Sequence, residues 1–128
     1  MSPDPPRPTH AELEILTVLW STGPATVREV YTRLSRRRAA QYSTVLKFMQ
    51  IMAEKGLVRR DESRRAHVYA AARPREWTQR QLARDLMERA FNGSAKALLV
   101  GALSARKASQ KELDELSRLL ADYQRGEK

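Results

Sequence analysis

Residues 28–65 carry eleven basic side chains: Arg28, Arg33, Arg36, Arg37, Arg38, Lys47, Lys55, Arg59, Arg60, Arg64 and Arg65. Four acids, Glu29, Glu54, Asp61 and Glu62, oppose them, which leaves a local surplus of seven within a net charge of +9. Guanidinium and ammonium groups at this density attract phosphate oxygens and displace the counterions of a polyanion. The plainer alternative is a basic face that meets only water. Inside this stretch Ser43, Lys47, Gln50 and Glu54 recur at spacings of four, three and four. Short hydroxyl, ammonium and amide groups on one helix face can exchange hydrogen bonds with base edges in a major groove. Ser43 and Thr44 would stand at the helix start, where hydroxyls and free amides take phosphate oxygens. Leu46 would meet a thymine methyl.

Groups for covalent or metal chemistry are scarce. The chain has no cysteine, and its two histidines, His10 and His67, lie far apart. Disulfides, thiolate metal sites and cysteine nucleophiles are therefore excluded, and a histidine-based triad or metal site is disfavoured. Glu12, Glu14, Glu29 and Asp61 are spaced as helix caps and surface acids rather than as a metal-binding cluster. We expect no catalytic group, no metal and no cofactor. No apolar run approaches the roughly 20 residues of a membrane span, and the start, MSPDPPRPTH, lacks an apolar signal core. At 128 residues, 41% apolar and 30% charged, the chain suits one or two small domains in a reducing, cytoplasmic setting.

The elements that would position these groups follow from caps and periodicity. Residues 1–8 are proline-rich and read as a flexible tail. Thr9-x-x-Glu12 is a capping box that opens a first helix with Leu13, Leu16, Leu19 and Trp20 on one stripe, stopped by Gly23-Pro24. Thr26-x-x-Glu29 opens a second helix, to about Ser35, which buries Val27, Val30, Tyr31 and Leu34. A third helix runs from about Ser43 to Lys55 and ends on Gly56, a left-handed cap. At ~100° per residue, Val45, Phe48, Met49 and Met52 share its core side, opposite Ser43, Lys47, Gln50 and Glu54. Leu46 and Ile51 edge the polar arc. The runs 57–60 and 66–70 predict a hairpin whose turn, Asp61 to Arg65, presents Arg64 and Arg65, with His67 on the second strand. Pro74 opens a long helix ended by Asn92-Gly93. Ser94 caps a short apolar helix, 95–103, expected to be buried on several sides. A third capping box, Ser109-x-x-Glu112, opens a last helix with Leu113, Leu116, Leu120 and Tyr123 in register. This order predicts a mainly α chain with a small β-hairpin: a winged helix-turn-helix over residues 9–73 and a helical region over 74–128.

The segments Tyr42-Ser43-Thr44-Val45-Leu46 and Glu54-Lys55-Gly56-Leu57-Val58 resemble the reading-helix signature of the penicillinase-repressor family. Leu13–Trp20, Thr26-Val27-Arg28-Glu29-Val30, Arg65-Ala66-His67-Val68-Tyr69 and Phe91-Asn92-Gly93-Ser94 match its pattern in the same order. The resemblance implies a homodimeric winged-helix repressor of transcription on a palindromic double-stranded operator, and matches Ser43, Thr44, Lys47 and Arg65 to family contact positions. Our candidate DNA-contacting set is Thr26, Arg28, Tyr42, Ser43, Thr44, Leu46, Lys47, Gln50, Arg64 and Arg65. The family includes repressors of β-lactam resistance and copper-responsive repressors. Without cysteine pairs, copper sensing is rejected. In the β-lactam repressors a membrane sensor system leads to cleavage at an Asn-Phe pair. Gly101-Ala102 stands there in this chain, so it marks the candidate cleavage region for a sensor-linked protease.

Leu86, Phe91, Leu98, Leu99, Leu103, Leu113, Leu116, Leu120 and Tyr123 form the candidate dimer interface, because a region this thin cannot bury its leucines alone. Three other readings stay open: a winged helix that binds DNA non-specifically or architecturally, a protein-interaction module, and, least supported, a small hydrolase. Membrane-surface binding is disfavoured, since the arginines flank a core-forming pattern.

Overall fold

A computed structural model describes residues 7–126; the first six of the proline-rich residues expected as a tail lie outside them. Thr9 opens α1 (His10–Thr22) with both bonds of the capping box formed, and Thr26 opens α2 (Val27–Ser35) in the same way. α3 (Tyr42–Lys55) ends on Gly56 at φ 83°, ψ 14°. There the Leu57 amide reaches back to the Met52 carbonyl at 2.9 Å, a closure that needs the left-handed backbone glycine adopts freely.

The hairpin is part of a three-stranded antiparallel sheet. β1 (Ala25–Thr26) pairs with β3 (Val68–Ala71), which pairs with β2 (Val58–Asp61). Tyr69 lies opposite Ala25 on one side and Arg60 on the other. Three expectations change here, the first being that Asp61, expected in the turn, ends β2. A third strand exists, too short to leave a periodic signal. Ala66 and His67 belong to the exposed turn and not to β3, because pairing starts only where Val68 meets Asp61.

The core collects Ile15, Leu16 and Leu19 from α1, Val27, Val30 and Leu34 from α2, and Val45, Met49 and Met52 from α3. Ala25, Val58 and Tyr69 close it from the sheet. Each large member contributes on the order of 1.5–3 kcal/mol by leaving water. The three helices and the hairpin thus form the winged helix-turn-helix that the sequence predicts. The Trp20 indole donates to the Arg73 carbonyl at 3.0 Å, fixing the approach to α4 (Arg75–Ala90).

The chain divides into two compact units, one ending at Leu82 and the other beginning at Ala83, inside α4. The second holds the rest of α4, α5 (Ala95–Ala105) and α6 (Gln110–Gln124). Asn92 (φ 51°) and Gly93 (φ 77°) turn the chain after α4, and the Ser94 hydroxyl accepts the Ala97 amide to start α5. At α6 the box is half made: the Ser109 hydroxyl accepts the Glu112 amide at 3.1 Å, whereas, among the described residues, a glutamate side chain returns to the cap backbone only in α1 and α2. The expectation that 95–103 is buried on several sides is not met within one chain. No residue of α5 or α6 is buried, since two thin helices and a helix end have no second layer to cover them.

Candidate nucleic-acid interface

α3 presents the two faces its periodicity predicts. Val45, Met49 and Met52 are buried, Phe48, Leu46 and Ile51 are half-buried, and Ser43, Lys47, Gln50 and Glu54 are exposed. Thr44 is exposed beside them. The start of α3 differs from that of the other capped helices. Thr9, Thr26, Ser94 and Ser109 each accept a first-turn amide, but Gln41 at the α3 cap makes no such bond. The Thr44 amide donates to the Gln41 carbonyl at 3.1 Å, so the α3 opening keeps the Tyr42 and Ser43 amides and its positive dipole end for an outside acceptor.

Tyr42 anchors that opening. Its ring meets Tyr31 edge-on at 5.7 Å and 78°, and the Arg28 guanidinium lies 4.7 Å from the Tyr42 centroid and 5.9 Å from that of Tyr31. Three side chains from α2 and α3 thus form one cationic, aromatic ledge. Periodicity places Tyr31 on the buried side of α2; it is half-buried and forms the floor of this ledge, a role that only the approach of Tyr42 from α3 gives it. Thr26 is more committed than its place in the candidate set implied: its hydroxyl accepts the Glu29 amide at 3.2 Å, and its own amide donates to Glu29 Oε1 at 2.9 Å. Those bonds hold the Glu29 carboxyl below its ordinary range.

The wing turn is shaped locally. Asp61 Oδ1 accepts the Ser63 amide at 2.9 Å; Ser63 and the nearby Arg64 charge keep Asp61 ionised below its ordinary range. The nearby Tyr69 hydroxyl and Glu62, with which Arg60 pairs at 2.8 Å, hold the Arg60 proton more tightly than usual. Arg64 and Arg65 stand exposed at the tip and form no ion pair among the described residues.

The fold also sorts the eleven cations. Arg38 is taken by Glu14 through two bonds, at 2.7 and 3.2 Å, which hold the Glu14 carboxyl low. Lys55 is taken by Glu12 and Arg60 by Glu62. Lys47, Arg33, Arg36, Arg37, Arg59, Arg64 and Arg65 remain exposed without an ion-pair partner among the described residues. Glu12 is the capping glutamate that the sequence predicts, and it is buried as well. Only 3% of its side chain is exposed. Burial alone would raise its pKa, but bonds from Lys55 and Thr9 outweigh that and lower it.

In the second unit, Leu86, Leu103, Leu113, Leu120 and Tyr123 are exposed, and Phe91, Leu98, Leu99 and Leu116 are half-buried. Val100 and Leu119 are exposed as well and were not among the expected interface residues. Gly101 and Ala102 fall inside α5. A Cβ on Gly101 would come within 3.2 Å of the Phe91 ring, so its hydrogen lets that ring approach.

Among the described residues, no helix is long and apolar enough to cross a membrane. A sequence model of the family described as Penicillinase repressor matches residues 8–122. The chain is 37% identical over 117 residues to the transcriptional regulator BlaI of Mycobacterium tuberculosis, covering 90% of this chain and 83% of that protein. It is 22% identical over 123 residues to the penicillinase repressor of Bacillus licheniformis, covering 96% of each.

Proposed function

The chain belongs to the penicillinase repressor family of transcriptional repressors, and from that premise we propose that it acts as a homodimer on a palindromic duplex operator. In this reading the members are repressors and not enzymes, and they work where the DNA is, in the cytoplasm. Lys47 and Gln50 read base edges, and Leu46 touches a thymine methyl. Ser43, Thr44, Arg28 and Tyr42 take phosphates around the α3 opening, with Thr26 beside them. Arg64 and Arg65 reach the backbone or a narrow minor groove from the wing. One observation carries this reading: the uncapped start of α3 and its polar face share the first unit with exposed cations, Lys47, Arg64 and Arg65 among them, that form no ion pair among the described residues.

Dimerisation rests on the leucines of α5 and α6, which a lone chain leaves exposed or half-covered. A two-fold pair would bury them and set two reading helices about 34 Å apart, one turn of DNA. With ~4 phosphates neutralised per subunit, the log–log salt slope of binding is about −7. Release by proteolysis at Gly101-Ala102, through a sensor-linked protease of the β-lactam-response type, draws its support from the exposed Ala102 and from a helix-weakening glycine in α5.

Selection of bound duplexes from a random pool tests the reading. A palindrome with half-sites one turn apart is expected. Enrichment without symmetry or sequence preference would replace it with architectural binding, and salt-insensitive function without DNA retention would replace it with a protein-interaction module.

A further inference from the structure

The contacts that hold α3 are of two kinds. Its middle rests on Met49 and Met52, both with no exposed surface, with Val45 buried one turn before them and Phe48 packed beside it. Methionine is unbranched and adapts to its neighbours, so this packing keeps the helix in the core yet resists rolling about the helix axis only weakly. Directional contacts sit at the ends. At the start, Tyr42 meets Tyr31 edge-on and carries the Arg28 guanidinium over its ring. At the finish, Lys55 Nζ donates to Glu12 Oε1 at 2.8 Å and to Oε2 at 3.0 Å. Among the described residues, this bridge is the one side-chain hydrogen bond that joins α3 to another element. Oε1 also accepts the Thr9 amide at 2.8 Å, so the anchor itself is locked into the α1 cap.

The geometry points to the Glu12–Lys55 bridge as a positioning device that sets the roll of α3 and thereby the operator preference of the protein. It rests on the operator-binding reading above. Glu12 is buried and Lys55 partly so; the hydration that such a pair loses offsets much of its attraction, so it adds little net stability. Its geometry is another matter. At a helix radius of about 6 Å, a roll of ~20° moves a side-chain tip by ~2 Å, enough to break a base contact. Glu12 and Lys55 touch no base in this account; they act through Lys47 and Gln50.

The double variant Glu12→Gln/Lys55→Met removes both charges while leaving an amide oxygen to accept the Thr9 amide. Its affinity is measured for the duplex that the wild-type chain enriches from a random pool, and for an unrelated duplex of equal length. We expect about a tenfold loss on the enriched duplex, the scale of one base contact, and no change on the unrelated one. Lys55→Arg, which keeps the bridge, is expected to keep the wild-type preference. An unchanged ratio in the double variant, or an equal loss on both duplexes, overturns the proposal. A wild-type chain that itself shows no preference overturns the operator reading instead, and the bridge's role falls with it. Should the double variant lose its helical circular dichroism, Lys55→Gln takes its place under the same criteria.

Discussion

The two units use the same residue, leucine, in opposite ways. In the first, Leu16, Leu19 and Leu34 vanish into a core closed by three helices and a sheet. In the second, Leu103, Leu113, Leu119 and Leu120 lie on helices that no second layer covers within the chain. Amphipathic periodicity is present in both, so periodicity alone says that a face wants burial and not what buries it. The difference is one of layers. A domain completes its core with its own elements, whereas a lone layer needs another copy or another chain.

The contrast is easiest to break at α6. Leu116→Asp is expected to yield monomers in sedimentation and to lower operator affinity by ~10²–10⁴, the avidity that linkage supplies. A variant that stays dimeric would move the interface elsewhere. Ile15→Ala probes the closed core: a loss of about 2–5 kcal/mol in denaturant unfolding is expected. That loss should not depend on protein concentration, unlike any weakening introduced in α5 or α6. Lys47→Ala should cost ~1–3 kcal/mol on operator DNA and little on scrambled DNA; equal loss on both would make Lys47 a phosphate contact.

Acid sharpens the comparison further. Glu12 is held below its ordinary value of 4.5 in the fold. Its contribution to the first unit is therefore complete above about pH 4.5 and is lost as the pH falls through the lower folded value. Acid titration of unfolding is expected to show this loss in wild type and not in Glu12→Gln. The smallest effect is expected at Gly101→Ala. Helix propensity gains roughly 0.5–1 kcal/mol, and the Phe91 ring, 3.2 Å from the added carbon, must yield slightly. A net change under ~1 kcal/mol in thermal unfolding is expected.

Much of this was legible in the chain, and the legible part is local. The Thr9 and Thr26 boxes, the Gly56 cap and the Asn92-Gly93 turn all form between residues a few positions apart. Their signals survive in composition and spacing because the hydrogen bonds that make them close within one turn. The polar face of α3 was legible for the same reason, since a helical period repeats over fourteen residues. β1 was not: two residues, Ala25 and Thr26, carry no period, and only pairing with β3 some forty positions later makes them a strand. The half-made box at Ser109 shows that a matching local pattern still leaves side-chain conformation open.

The amino-acid order alone settled the helices, the capping boxes of α1 and α2, the apolar stripes and the excess of positive charge. Which cations stay free was decided by folding, because Arg38 meets Glu14 across 24 positions and Lys55 meets Glu12 across 43. Charge counts add up regardless of arrangement, but neutralisation depends on distance. Only when distant segments pack does one glutamate become a buried anchor while Arg64 and Arg65 remain open to a partner.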